Sequence, residues 1–138
     1  IRSQEVLQKI IAAYALSANG DHEGAIKILD SVVTIDPEAF NGYIALGYEY
    51  SILGRKQEAI DCFNKAITLF PERPEPYNDL AREYAKCKEN RLALKYISET
   101  LKRKPGFWKE IEGDKIFDNL RLEYKNKYEE VLNDYKGK

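Results

Sequence analysis

At 138 residues with 43% hydrophobic side chains, the chain fits one domain, residues 1–138, with enough apolar surface for a continuous core. Lys and Arg number 22 against 23 Asp and Glu, and the net charge of −1 excludes a polyanion such as nucleic acid, or an anionic membrane surface, as the default partner. No window approaches the roughly 18 unbroken apolar residues of a membrane span, so membrane insertion is not expected.

The hydrophobic spacing predicts three helix pairs in succession, at 4–18 with 22–34, 39–53 with 56–69, and 74–87 with 90–102. In the first pair, Ile10 to Ala18 superficially resembles a signal-peptide core ending in Leu16-Ser17-Ala18. Glu5, Gln8 and Lys9 are poor company for such a segment, and a helix is the better reading. Gly20 and Gly54 stand just past the first helix of their pairs, where a residue without Cβ ends a helix at low cost. The third pair has Lys88 at that position, which predicts a cap shifted to Asn90 or a looser turn. Pro37, Pro71 and Pro105 close the three pairs, each disfavouring helical geometry in the residue before it. Beyond Pro105 the apolar residues Ile116, Phe117, Leu120, Tyr124, Tyr128, Val131, Leu132 and Tyr135 fall at spacings of three and four. They predict a cap over 108–136, one long or two short helices with Asp114 as N-cap, covering the last pair with a polar outer side.

The three prolines are 34 residues apart, and other columns keep that step. Ala25, Ala59 and Ala93 repeat unchanged, Ala13, Gly47 and Ala81 form a small column, and Leu29, Phe63 and Ile97 a large one. Small beside large at fixed offsets is what two helices need to approach closely and interlock at every repeat. In its middle repeat Tyr43, Leu46, Gly47, Tyr50, Gly54, Ala59, Phe63, Ala66 and Pro71 follow one pattern, and on these residues the chain resembles the tetratricopeptide repeat (TPR) family. The resemblance implies an all-α, right-handed superhelical solenoid of antiparallel helix pairs, with repeats at about 6–39, 40–73 and 74–107 and a C-terminal cap. Segment Asp114, Phe117, Leu120, Arg121 is similar to those that close some bacterial TPR arrays.

Catalysis finds no foothold in the residues. The lone histidine, His22, lies between Asp21 and Glu23, and it occupies a column where TPR sequences often place an aromatic that packs in the hairpin turn. One histidine without a Gly-rich phosphate loop or a ligand cluster assembles neither a triad nor a zinc site, and no catalytic, cofactor or metal residues are expected. Carboxylate pairs such as Glu129-Glu130 read as solvated faces, and Lys102, Arg103 and Lys104 complement a helix C-terminus. Cys62 and Cys87 lack metal-ligand spacing and make no disulfide framework; as free thiols without a signal segment they point to a cytoplasmic setting. Opening on Ile1 and lacking methionine, the sequence reads as a piece of something longer.

A second apolar stripe carries the functional expectation. Lys9, Ala12, Ala13 and Leu16, with Tyr43, Leu46, Gly47 and Tyr50, cluster on the side expected to pack on the partner helix. Leu7, Ile10 and Tyr14, with Ile44, Tyr48 and Ile52, lie roughly 140° away on the wheel. On a self-sufficient surface helix that side would be polar. TPR resemblance implies that first helices line a concave face which grips peptides, so these six residues would supply contact area, with Asn41, Asn78, Asp79 and Arg82 supplying direction. Paired amides of Asn41 and Asn78 suit a peptide backbone, and Arg82 a carboxylate. A chaperone-type carboxylate clamp is not expected, because its family positions here hold Ile10, Tyr14, Ala45, Glu75 and Asp79. The expected activity is a non-enzymatic interaction module binding a protein or peptide partner. Alternatives left open are a homo-oligomerising scaffold, a fragment of a longer solenoid whose groove is filled in cis, and a regulatory domain of an enzyme whose catalytic part is absent.

Overall fold

A computed structural model describes residues 2–137 of the chain. The described residues are helical throughout, in the order α1 (Arg2–Ala18), α2 (His22–Ile35), α3 (Phe40–Ile52), α4 (Lys56–Leu69), α5 (Glu75–Lys86), α6 (Asn90–Arg103), α7 (Trp108–Gly113), α8 (Asp118–Glu123) and α9 (Lys125–Asn133). Two 3-10 turns, Pro105–Phe107 and Lys115–Phe117, lead into α7 and α8. Bounds expected for the first six helices agree with these to within two residues. Residues 1–71 and 72–138 form two compact units.

In the first unit α1 packs on α2, α2 on α3 and α3 on α4. Its core joins Val6, Ile10 and Ala13 of α1 to Ala25, Ile26, Leu29 and Val32 of α2 and to Ala45 and Leu46 of α3. Gly47 is one reason two helices come so close: a Cβ there would sit 2.4 Å from Cε1 of Phe63. In the second unit α5 packs on α6, and the cap segments close over them. Ala81, Ala85, Ala93, Ile97 and Leu101 share their core with Ile111, Phe117, Leu120, Tyr128 and Leu132.

Each hairpin turn uses the same pair of backbone bonds. Asp21 N–H donates to Leu16 O at 2.8 Å, Arg55 to Tyr50 at 2.8 Å and Glu89 to Tyr84 at 3.0 Å, while Gly20, Gly54 and Lys88 donate to the carbonyls of Ser17, Ser51 and Ala85. This double bond pattern requires a left-handed residue after the helix. Gly20 and Gly54 meet it at φ +86° and +76°, and Lys88 meets it at +59°. The expected shift of the cap to Asn90 does not occur: the turn keeps its geometry and Lys88 takes the strain, because the bonds it closes satisfy carbonyls that would otherwise stay unpaired.

The cap departs from one long or two short helices. Asp114 caps, but it caps a 3-10 turn, its carboxylate accepting from Ile116 N–H at 3.1 Å. The break after α7 is held by Arg121, whose guanidinium donates to the carbonyls of Ile111, Glu112 and Asp114, to the carboxylate of Asp118 and, at 3.1 Å, to the hydroxyl of Tyr128. One side chain thus satisfies the helix-terminal carbonyls that a continuous helix would have satisfied internally. A second break, at Tyr124 (φ −127°, ψ 39°), separates α8 from α9.

Candidate functional site

The open apolar surface of the first unit lies on α1 and α3. Leu7, Ile11 and Tyr14 of α1 are 58%, 57% and 55% exposed, and Tyr48 and Ile52 of α3 are 59% and 43% exposed. Spacings of four and three place each set on one helix face. Asn41 is exposed on the same face of α3, and Ile44 beside it is half-buried.

Charge is absent from this surface. Within about 60° of the axis through Leu7 lie Ser3, Gln4, Ile10, Ile11, Tyr14 and Ala18, and around Tyr48 lie Asn41, Ile44, Ala45, Ser51 and Ile52. None is Lys, Arg, Asp or Glu, in a chain with 33% charged residues. Glu5 and Lys9 of α1 point elsewhere on the wheel, and the Lys9 ammonium donates to Ser31 Oγ at 3.1 Å. Glu49, the acidic residue of α3, is 3% exposed and lies 2.8 Å from His22 Nδ1. His22 therefore ties α2 to α3 through this side-chain bond, with Ser17 Oγ 3.4 Å from the same nitrogen, where its column had suggested an aromatic that packs in the hairpin turn.

One expected contact residue falls away. Ile10 is 8% exposed and belongs to the core with Ala13 and Ile26, because α1 turns the Leu7–Ile11–Tyr14 line outward and tucks Ile10 under it. Ile11 was missed, because Ile10 and Ile11 stand at equivalent three- and four-residue spacings from Leu7 and Tyr14.

Asn78, Asp79 and Arg82 stand on α5, in the second unit. Arg82 does meet a carboxylate, but the carboxylate is that of Asp114 in the cap, so the guanidinium is engaged within the chain. Glu75 pairs with Arg73 at 3.0 Å. The Oδ1 of Asn78 is buried without a hydrogen-bond partner. Burial pushes the Asp79 carboxyl up to about 7; Arg82 opposes the shift and Glu75 and Glu83 add to it. Both cysteines are free thiols, and burial pushes Cys62 up to about 12, far from a reactive thiolate. Among the described residues no group of three His, Cys, Asp or Glu is placed to hold a metal ion, and no helix is long and apolar enough to cross a membrane.

Residues 40–73 and residues 10–38 each match a tetratricopeptide repeat model. The chain therefore carries tetratricopeptide repeats. Among solved structures it is similar to MamA, with a TM-score of 0.75 and 24% identity over 94% of this chain and 73% of that one. MamA 41-end from Desulfovibrio magneticus RS-1 gives 0.72 and 13%, covering 96% and 78%. The type III secretion chaperone SycD of Yersinia enterocolitica, in complex with a peptide of the translocator YopD, gives 0.68 and 16%, covering 92% of each chain. At these identities the likeness establishes the helical-repeat fold. No curated protein matches the chain in sequence.

Proposed function

We propose that this TPR chain is a non-catalytic interaction module, and that the charge-free stripe of Leu7, Ile11, Tyr14, Tyr48 and Ile52 binds a peptide or protein segment. The observation that carries the reading is five large apolar side chains left more than 40% exposed on α1 and α3, on helix faces without a charged residue of their own. Monomeric surfaces leave such a patch when it has a partner. Full desolvation of an exposed apolar side chain contributes roughly 1.5–3 kcal/mol, and this is the favourable term that a partner on the stripe would gain against the cost of association and ordering. The structurally similar chaperone SycD holds a peptide of its translocator, which supports the same class of activity here.

In the second unit, the buried Oδ1 of Asn78 and the half-buried carboxyl of Asp79 are not assigned to this stripe. Arg82 does not contribute, since Asp114 already occupies it.

The test is the double substitution Tyr14→Ala, Tyr48→Ala. Both side chains are exposed, so the helical circular dichroism and the unfolding midpoint stay as in the parent chain. Proteins captured from the native host extract by the parent chain are expected to be lost with the variant. Equal capture by both would sink the assignment of this face.

A further inference from the structure

Two features of the α1 and α3 stripe narrow what can lie on it: the absence of charge on its helix faces and the neutral hydrogen-bonding groups left there. A Lys, Arg, Asp or Glu side chain brought onto it would lose water and find no opposite charge, because Glu5 and Lys9 lie off the face and Glu49 is already paired with His22. The polar groups that remain, the phenol hydroxyls of Tyr14 and Tyr48, the amide of Asn41 and the hydroxyls of Ser3 and Ser51, are neutral donors and acceptors suited to main-chain N–H and C=O groups.

Five half-exposed Leu, Ile and Tyr residues offer on the order of 600 Å² of surface, within the roughly 600–1,000 Å² per partner of a standard protein interface. A second copy of this chain would present helices whose main-chain groups are already bonded to one another, leaving the neutral donors and acceptors of the stripe unmet. An extended segment brings free main-chain N–H and C=O groups to them. From these observations we infer that the occupant of the stripe is a short, uncharged, aliphatic-rich segment of a partner chain, held by apolar anchors and main-chain hydrogen bonds, and not a second copy of this chain. The inference rests on the reading of the stripe as a binding face.

A random peptide library displayed on phage, selected against the whole chain and counter-selected against Tyr14→Ala, Tyr48→Ala, tests the inference. Enriched peptides are expected to be rich in Leu, Ile, Val and Ala and depleted of Asp, Glu, Lys and Arg. For a synthetic copy of one, followed by fluorescence anisotropy, a Lys or Glu in place of the central aliphatic residue weakens binding about tenfold. Its affinity changes less than about twofold between about 50 and 500 mM NaCl, since no ion pair is there to screen. Peptides with charged anchors, or affinity that collapses with salt, would overturn the partner class and leave the binding face standing. Failure to enrich any peptide that separates the chain from the double variant, checked with Ile11→Ser, Ile52→Ser, would overturn the face itself and the inference with it. Sedimentation velocity completes the test: a dimer that the double variant abolishes would show that the occupant is a second copy.

Discussion

Gly47→Ala should destabilise the protein even though alanine is the better helix former. In the middle of a helix the substitution gains about 1 kcal/mol of intrinsic propensity. Its Cβ, however, would stand 2.4, 2.7 and 2.8 Å from Cε1, Cζ and Cδ1 of Phe63, closer than carbon atoms can approach. Phe63 is 3% exposed, so the ring cannot swing into solvent, and overpacking of a closed core costs about 1–3 kcal/mol, more where the neighbour cannot move. The net expectation is a loss of about 1 kcal/mol, read as a fall of about 3–6 °C in the unfolding midpoint. Equivalent columns explain how the other repeats avoid the clash: Ala13 is matched with Leu29 and Ala81 with Ile97, so the larger small residue goes with the smaller large one. Gly47→Ala combined with Phe63→Leu recreates the pairing of the first repeat and should be coupled by at least about 1 kcal/mol in a double-mutant cycle. Thermal and urea unfolding of the four proteins measure it. Stability of Gly47→Ala equal to or above the parent would refute the reasoning.

Three further outcomes follow from the structure. Lys88→Gly relieves a left-handed residue with a Cβ and should raise stability by about 0.5–1 kcal/mol in urea unfolding, with no change in helical content. His22→Ala strands the Glu49 carboxylate, 3% exposed, without its 2.8 Å partner and should cost about 2–3 kcal/mol, whereas Glu49→Gln, which keeps a hydrogen bond to the ring, should cost less. Asp79 carries an acid raised from 3.8 to about 7, so between those values the folded chain holds a proton that the unfolded chain releases, and its contribution to stability falls as pH rises through that window. Asp79→Asn removes the dependence: its advantage over the parent should be small at pH about 4 and grow to about 4 kcal/mol by pH about 8, and parallel stability profiles for the two proteins would rule the argument out.

The fold was legible because repeats constrain one another. A single glycine, proline or alanine says little, but Pro37, Pro71 and Pro105 with Ala25, Ala59 and Ala93 at one step fix both the helix pairs and their turns. Backbone bonds then enforce the turn even where the residue is wrong for it, as Lys88 shows. The cap was less legible because it lies outside the repeat. Its breaks come from Arg121 reaching back to three carbonyls up to ten residues earlier in the chain, and no periodicity announces a side chain that replaces backbone hydrogen bonds.

For the candidate site the periodicity located the correct helices and missed the correct rotation by one residue. Ile10 and Ile11 are adjacent, identical and about 100° apart on the wheel, so nothing in the sequence of α1 alone says which one faces the core. Packing decides it: Ile10 joins Val6 and Ala13 in the core, and Ile11 is left with Leu7 and Tyr14 outside. Arg82 was expected to meet a carboxylate of a partner, and the carboxylate it meets is that of Asp114, 32 residues away in a segment beyond the repeats. The two corrections act together on the functional reading. Moving Ile11 onto the face extends a continuous apolar line along α1, and removing Arg82 takes away the one cation expected to contact a partner. A binding surface that first looked apolar at one end and charge-directing at the other is thereby reduced to the neutral, apolar face of the first unit. Both changes favour a partner segment that brings main-chain donors and aliphatic side chains over one that brings a carboxylate.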